Sequence, residues 1–413
     1  MIKVLHIGER GSLGGAESVF RNTILALQTH THHMEHFVAC KATRGLPFEP
    51  DVIFAGGDTL LSQLYSIRNF LTLKRGLNKL RPDIVHLHHY GNLSPSVFHA
   101  IALYKRKYPA VKVLFSVHTF EYICSHSAAY DYKKDKRCMD CAQNRYKWKI
   151  FARGCSRLGW KHSFGKGITS ILTALLSGRG LIDQWITPSY FLKSAMSLRP
   201  DVDSTKISVV YNPIANVHSK SLPTHRRDQM VFFGRLSEEK NIPMLIRAFS
   251  RYRMRGGTCR LVIAGEGPMR DALGNLVKQL DLQDSVEITG FLETPVLQEL
   301  LHQSKFAILP SKCYESASMV VLESVICGVM PVVSAHGGMK EMVEWLNCGL
   351  QFASEDEADL VSKMEMAVAQ YEEWKLGLVQ VIDKLKSYVL FEPYAKRLLE
   401  LYAACLKMSV LKA

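Results

Sequence analysis

Short apolar runs that stop at glycine, proline or serine recur through the second half of this chain of 413 residues. Each run has the length of a strand, and stretches of helical periodicity separate the runs. This alternation predicts an open parallel sheet whose ligands bind beyond the carboxyl ends of its strands. The five runs begin at Val231, Arg260, Val286, Phe306 and Pro331.

The first half of the chain follows the same pattern. Apolar strands are predicted within residues 1–8, 83–91 and 111–121, and the last two strands end in histidines. A stretch rich in Pro, Ser, His and Arg near 213–228 predicts a linker. We therefore expect an N-terminal domain over 1–214, a C-terminal domain over 215–387 and a final helical segment over 388–413.

Two glutamates, Glu315 and Glu323, lie in the most informative segment of the chain. An apolar helix is predicted there, with Glu315 at its start and Glu323 inside it. A buried carboxylate is costly unless a partner satisfies it, so these positions indicate a ligand. Ser316 or Ser318 can cap the helix start, where free backbone amides attract an anion. A nucleotide sugar has both hydroxyls and phosphates and fits this segment. Two glutamates on an ordinary helix are the alternative.

Two cations follow the first strand of this half. The strand at Val231 breaks at Gly234, and the loop before the next helix contains Arg235 and Lys240. Two cations beyond a strand end suit a diphosphate.

These segments resemble the donor domain of the retaining glycosyltransferases of family 4. The matching pieces are G-R-L-x-x-E-K at 234–240, A-G-x-G-P at 264–268, the two glutamates eight positions apart, and P-V-V…G-G-x-x-E at 331–341. The resemblance implies an α/β architecture of the GT-B type, in which two Rossmann-like parallel-sheet domains face each other across a cleft. The last helix would cross back to the N-terminal domain. Ser318 stands where the family usually has glycine, which leaves the donor sugar open.

The resemblance also implies the site residues. His118 and Glu315 are the expected catalytic residues, with His118 against the donor sugar. His88 and Asn92 are expected on the acceptor side, although from the residues alone a strand-end metal site at His86 and His88 is an alternative. The expected donor-binding residues are Gly14, Gly15, Arg235, Lys240, Gly265, Gly290, Ser318, Met319, Val320 and Glu323.

The implied reaction moves a sugar from a UDP- or GDP-sugar to a glycan or a lipid-linked glycan and retains the anomeric configuration. We expect no catalytic metal, because the one Asp-x-Asp, at Asp201 and Asp203, lies in a connector. A nucleotide-sugar 2-epimerase of the same architecture and a non-catalytic adaptor are the alternative functions.

The positive charge is concentrated in the first half. Residues 1–215 contain 29 Lys and Arg against 14 Asp and Glu, whereas residues 216–413 contain 23 against 24. The densest part, within an insertion at about 121–165, interleaves cations with Trp and Tyr, as at a membrane interface. A solvated basic face is the alternative, and no nucleic-acid recognition motif accompanies the charge. Neither a signal peptide nor a spanning segment is apparent, so we expect a cytoplasmic protein, at the inner face of the plasma membrane if the basic domain binds lipid.

Four of the ten cysteines are ordered along this insertion. Cys138 and Cys141 form a C-x-x-C, and Cys124 and Cys155 flank it at equal spacing. The spacing suits tetrahedral thiolate ligation of a structural zinc ion. An iron–sulfur or redox site and unligated thiols are the alternatives.

Overall fold

The computed structural model describes residues 1–9, 14–31, 33–41, 47–55, 59–215, 223 and 225–407. The chain divides into two compact units, residues 1–215 with 389–413 and residues 216–388. Each unit is built around its own parallel sheet, as the strand pattern predicts.

The first unit begins with a strand and alternates strands with helices. Its strands are β1 (Ile2–Ile7), β2 (Met34–Cys40), β3 (Val52–Ile53), β4 (Ile84–Leu87), β5 (Lys112–Ser116), β6 (Tyr130–Asp131), β7 (Lys136–Arg137), β8 (Gln184–Thr187) and β9 (Ile207–Val209). Its helices before the linker are α1 (Gly15–His30), α2 (Leu60–Leu64), α3 (Ile67–Leu80), α4 (Ser96–Lys107), α5 (Lys149–Arg153), α6 (Gly159–Ser177) and α7 (Tyr190–Ser197).

The main sheet of this unit has the order β3-β2-β1-β4-β5-β8-β9, and each pair of neighbours is parallel. Strands β6 and β7 form a separate antiparallel ribbon inside the cysteine-containing insertion. Val4, Leu5 and Ile7 are fully buried, which explains why β1 reads as a continuous apolar run: helices cover both faces of a parallel sheet. His6 interrupts this run and is equally buried.

The second unit contains the strands and helices that follow the linker. Its strands are β10 (Arg227–Phe233), β11 (Arg260–Ala264), β12 (Val286–Gly290), β13 (Ser304–Leu309), β14 (Met330–Ser334) and β15 (Leu350–Phe352). Its helices are α8 (Ile242–Met254), α9 (Arg270–Gln279), α10 (Thr294–Gln303), α11 (Met319–Ile326), α12 (Gly337–Leu346), α13 (Glu357–Leu376) and α14 (Leu378–Val389). The sheet order is β12-β11-β10-β13-β14-β15, again with every neighbouring pair parallel.

Glycines allow the backbone to pack closely where β10, β11 and β12 end. The amide of Gly234 donates to the Ala264 carbonyl at 3.0 Å, and the amide of Gly265 donates to the Gly290 carbonyl at 2.8 Å. Gly265 has a φ of +150°, and a Cβ there would lie 1.8 Å from the Gly234 carbonyl oxygen. Only glycine lets these two turns pack this closely.

The final helix, α15 (Phe391–Leu406), belongs to the first unit. Tyr394, Leu398 and Tyr402 pack into the apolar core beside β1, β4 and β5. The Tyr394 hydroxyl hydrogen-bonds to Thr23 Oγ1 at 2.8 Å. Residues 408–413 of the predicted segment 388–413 lie outside the described residues. Among the described helices, none combines the length and the apolar character needed to span a bilayer.

Candidate functional site

The second sheet changes direction between β10 and β13. The chain moves outward from β10 to β12 and then returns to the other side of β10 with β13. Ligands of open α/β sheets bind at such a switch point, beyond the carboxyl ends of the strands. Two loops leave the sheet there, residues 234–241 after β10 and residues 310–318 after β13.

An ion pair joins these two loops. Lys240 Nζ donates to Glu315 Oε1, and Ser311 Oγ donates to the same oxygen at 3.2 Å. The Lys240 and Glu315 side chains remain 22% and 23% exposed, so the pair is open on one side. Burial opposes the positive charge, but the Glu315 carboxylate outweighs it and raises the pKa of Lys240 above its usual range. Lys240 is therefore a fixed cation at the switch point.

Backbone contacts hold the Glu315 loop in place. The amide of Lys312 donates to the Glu239 carbonyl at 2.8 Å, and the amide of Gly338 donates to the Glu315 carbonyl at 2.8 Å. A Cβ at position 338 would lie 2.8 Å from the Glu315 carbonyl oxygen, so glycine is needed for this approach. The two glycines at the start of α12 therefore support the loop that contains Glu315, a role that the sequence did not identify.

Helix α11 begins directly after this loop. Ser318 occupies the N-cap position but is buried, and its side chain does not cap the helix. The backbone amides of Met319 and Val320 lie in the first turn, where no intrahelical acceptor exists for them. Glu323 follows one turn later, and burial raises the pKa of its carboxyl to about 7. The helix start thus offers donors to an anion and, close by, a carboxyl group that hydroxyls can satisfy.

The other predicted donor-binding residues have different surroundings. Arg235 is exposed at the end of β10. Gly265 follows β11 and Gly290 is the last residue of β12, and their observed role is to let the ends of neighbouring strands pack closely. In the first unit, Gly14 precedes α1 with a φ of +101°, a conformation that favours glycine, whereas a Cβ on Gly15 would meet no described atom within 4 Å.

The sheet of the first unit also has a switch point, between β1 and β4. His89 lies there between two carboxylates, with Nε2 3.2 Å from Glu9 Oε2 and Nδ1 2.8 Å from Glu121 Oε2. Asn92, predicted on the acceptor side, donates from Nδ2 to Glu9 Oε1 at 2.6 Å. Sequence reading missed this triad, because Glu9, His89 and Glu121 come from three separate strand ends.

The triad is charged. Burial disfavours the imidazolium, but the two carboxylates outweigh this effect and raise the pKa of His89 well above its usual value. Burial likewise opposes the Glu9 carboxylate, yet the bonds from His89 and Asn92 lower the pKa of Glu9 to about 2. His89 therefore stays protonated while the Glu9 carboxylate stays ionised.

Beside this triad lies a group of buried histidines that includes His88 and His118, two of the predicted site residues. His6, His86 and His88 present ring nitrogens within 4.8 Å of one another, the spacing of a candidate metal site. Every ring nitrogen of these three residues already has a hydrogen-bond partner. The partners are His36 and His88 for His6, Tyr402 and Ser116 for His86, and His6 and His118 for His88. Hydrogen bonding within the protein therefore accounts for this group.

The four ordered cysteines line one small cavity, and His126 also lies in its wall. The backbone amides of His126 and Ala129 donate to the Cys124 sulfur, and the Arg153 guanidinium lies 3.2 Å from the Cys138 sulfur. Donors directed at sulfur suit thiolates. Among the described residues, no three of these sulfurs all lie within 4.8 Å of one another.

The chain thus has two units, each built on a parallel sheet. The second unit has a cation and a helix start at its switch point, an arrangement typical of α/β proteins that bind nucleotides. The model of the "Glycosyltransferase Family 4" matches residues 13–215, and that of the "Glycosyl transferases group 1" matches residues 214–375. The two matches together span most of the chain, which belongs to the glycosyltransferases of these families.

Curated relatives match part of the chain. An uncharacterised glycosyltransferase of Methanocaldococcus jannaschii is 33% identical over 175 residues, which cover 39% of this chain and 44% of that protein. The α-D-kanosaminyltransferase of Streptomyces kanamyceticus is 30% identical over 141 residues, which cover 33% of this chain and 36% of that enzyme. A Campylobacter jejuni N-acetylgalactosaminyltransferase, whose name gives a diphospho-undecaprenol acceptor, is 32% identical over 146 residues, 34% of this chain and 38% of the enzyme. The matches thus span less than half of these relatives.

Solved structures match over nearly the whole length. Anabaena Alr3699/HepE, crystallised with UDP-glucose, superposes with a TM-score of 0.69 at 14% identity, covering 98% of this chain and 100% of that one. The sucrose-phosphate synthase of Thermosynechococcus elongatus also gives 0.69, at 15% identity, covering 99% and 100%. At these identities the likeness shows the GT-B fold.

We predict that His89→Gln lowers the free energy of unfolding by about 3–5 kcal/mol, because it removes the cation that contacts both buried carboxylates. The pKa of His89 is raised, so its stabilising contribution is complete below pH 6.5 and declines as the pH rises above that value. Denaturant unfolding between pH 5 and pH 9 should show that the difference in unfolding free energy between wild type and His89→Gln becomes smaller at high pH. His33→Gln, at an exposed position, is the control. A pH-independent difference would show that His89 is not held as a cation.

We propose that the cysteine cavity binds one structural zinc ion per chain. Elemental analysis of the purified protein should find zinc, and Cys138→Ser with Cys141→Ser should abolish it, because two of four thiolate ligands are lost. Cys405→Ser, outside the cavity, should retain the metal. Purified protein that contains no zinc, and whose melting temperature does not change when a chelator is added, would refute the site.

Proposed function

We propose that this protein transfers a sugar from a nucleotide-diphosphate donor to a hydroxyl of a glycan or lipid-linked glycan, with retention of configuration and without a catalytic metal. The observation that carries the proposal is the Lys240–Glu315 pair at the switch point, directly before the start of α11. The names of the relatives support both the reaction class and the acceptor class.

The hard step is departure of the nucleotide diphosphate, on which negative charge grows. The Lys240 ammonium has three N–H groups, so it can donate to Glu315 and to a phosphate oxygen at the same time. The first-turn amides of α11 and the exposed Arg235 guanidinium supply further donors to the leaving group. Because Lys240 is already oriented by Glu315, little reorganisation accompanies the reaction.

The carboxylates suit the hydroxyls of the donor. Both side-chain bonds of Glu315 seen in the described part of the chain end on Oε1, which leaves Oε2 to accept from a hydroxyl of the transferred sugar. Glu323 would accept from the ribose, and a hydroxyl donor would favour its ionised form. With the leaving phosphate oxygen taking the acceptor proton, no dedicated base is required.

We predict that Lys240→Met raises the Kd for a nucleoside diphosphate at least about tenfold, since a charge-assisted bond contributes roughly 1.5 kcal/mol or more. Calorimetric titration with UDP and with GDP measures this change. Lys278→Met removes an exposed cation of the same unit and should leave the Kd unchanged.

Glu315→Gln, which keeps the side-chain shape, should lower turnover of the active nucleotide sugar by about a hundredfold through loss of sugar positioning. Product analysis with and without acceptor separates transfer from epimerisation. If Lys240→Met bound UDP and GDP as tightly as wild type does, the loop that contains Lys240 would not be part of the binding site.

We also propose that the first unit contacts an anionic membrane through the segment Arg157–Phe164. Leu158, Trp160 and Phe164 are 68%, 60% and 43% exposed, and Arg157 and Lys161 are exposed among them. The Trp160 and Phe164 rings lie 5.4 Å apart and form one apolar surface. Cations beside an exposed aromatic surface suit the interface of an anionic bilayer, where a lipid-linked acceptor would be found.

We predict that Trp160→Ala combined with Phe164→Ala reduces binding to phosphatidylglycerol-containing vesicles several-fold in a sedimentation assay. Phe291→Ala removes a ring that is 68% exposed in the second unit and serves as the control. Equal binding of wild type to anionic and to purely zwitterionic vesicles would contradict the proposal.

A further inference from the structure

Arg226 lies directly before β10, and its guanidinium group contacts three other segments of the second unit. Nη1 donates to the Ser304 carbonyl oxygen at 2.9 Å and to the Leu301 carbonyl oxygen at 3.2 Å. Nη2 donates to the Cys327 carbonyl oxygen at 2.7 Å. Leu301 lies in the last turn of α10, Ser304 begins β13, and Cys327 is the C-cap of α11. One partly buried side chain thus joins the end of α10, the start of β13 and the end of α11.

The contacts of Arg226 lie on the side of the unit away from the Glu315 loop. Strand β13 leads into residues 310–318, and α11 leads out of them. The loop therefore connects the carboxyl end of β13 to the start of α11, while Arg226 joins the start of β13 to the end of α11. Strand, loop, helix and guanidinium together form a closed ring, so the angle between β13 and α11 is fixed at both sides.

A guanidinium group suits this double contact. The last carbonyls of a helix have no intrahelical donor, and a cation near them is favoured by the helix dipole. Nη1 and Nη2 are held rigidly in one plane, so bonds from both atoms fix a direction as well as a distance. A lysine ammonium is a single nitrogen on a flexible chain, and it would contact the Ser304 or Cys327 carbonyl without fixing the angle between them.

Helix α11 is short enough for a change at its end to reach its start. It has eight residues and is therefore about 12 Å long. Leu322 and Val325 are fully buried, so the helix is tightly packed and moves as one body. A change in the position of Cys327 is thus expected to move the backbone amides of Met319 and Val320.

We propose that Arg226 is a positioning residue for the diphosphate site, because it sets where the first-turn amides of α11 lie relative to Lys240. The inference rests on the proposed function and deepens it. Lys240 is held by its ion pair with Glu315, whereas the Met319 and Val320 amides move with α11. A diphosphate has to bond to both sets of donors at once, so its affinity depends on the orientation of the helix.

Calorimetric titration with UDP and with GDP tests this role. Arg226→Lys keeps the charge but loses the planar pair of donors, and it should raise the Kd of the diphosphate that wild type binds about fivefold or more. Arg226→Gln keeps an N–H donor without the charge and should show a similar rise. Arg253 also donates to a backbone carbonyl after a helix, that of Gly257 at 2.7 Å, so Arg253→Lys is the matched control with an unchanged Kd. A wild-type Kd in a folded Arg226 variant would overturn the proposal.

A double-mutant cycle distinguishes positioning from simple stabilisation. In Lys240→Met, a bound diphosphate contacts the helix start alone and can follow it when it shifts. Adding Arg226→Lys to Lys240→Met should therefore change the Kd by less than about twofold. The same fivefold factor in both backgrounds would show that Arg226 does not align the two sets of donors.

Amide NMR of the ligand-free protein gives a readout that does not depend on nucleotide binding. The Met319 and Val320 amide resonances should shift in Arg226→Lys and keep their wild-type positions in Arg253→Lys. Unshifted resonances in Arg226→Lys would also overturn the proposal. If wild type bound neither UDP nor GDP, the proposed function would be contradicted, while the amide shifts would still decide whether Arg226 positions α11.

Discussion

The half-buried ion pair between Lys240 and Glu315 is the interaction on which the candidate site depends. It joins the loops that leave the sheet at β10 and β13, the two strands between which the chain reverses its order. Without the carboxylate, burial would disfavour the ammonium; with it, Lys240 is held charged and oriented. The pair thus keeps a cation in a half-buried position where water alone would not stabilise it.

The surrounding residues are consistent with this constraint. Gly338 lets the start of α12 approach the Glu315 carbonyl, and Gly265 lets two neighbouring turns pack closely beside the loop that contains Arg235. These glycines therefore contribute rigidity, which benefits a site that must stabilise charge without reorganising. The buried Ser318 at the N-cap leaves the first-turn amides of α11 to a ligand instead of capping them.

The buried polar groups of the first unit are stabilised in two ways. At the strand ends, His89 is kept charged between Glu9 and Glu121. One layer deeper, uncharged histidines satisfy one another through hydrogen bonds, which avoids the cost of unpaired polar groups in the sheet. The positive charge of His89 helps to keep His118 neutral, so the two arrangements depend on each other.

Much of the fold could be predicted from sequence, because parallel strands buried on both faces give continuous apolar runs that end in glycine or proline. The loop with Lys240 and the helix with Glu323 were predicted from their residues, and the family resemblance gave their order. The His89 triad and the hydrogen bonds among the buried histidines could not be predicted, since their members come from strands far apart in sequence and the pairing depends on register. The predicted start of the helix was also imprecise. Helix α11 begins at Met319, so Glu315 lies in the preceding loop and not on the helix. The retaining chemistry, the acceptor and the metal stay predictions.

The most direct test of the central claim is a crystal structure of the protein soaked separately with UDP and with GDP. The account predicts that one of the two places its diphosphate within hydrogen-bond distance of Lys240 Nζ and of the Met319 and Val320 amides. A diphosphate bound elsewhere on the second unit, with Lys240 contacting only Glu315, would contradict it.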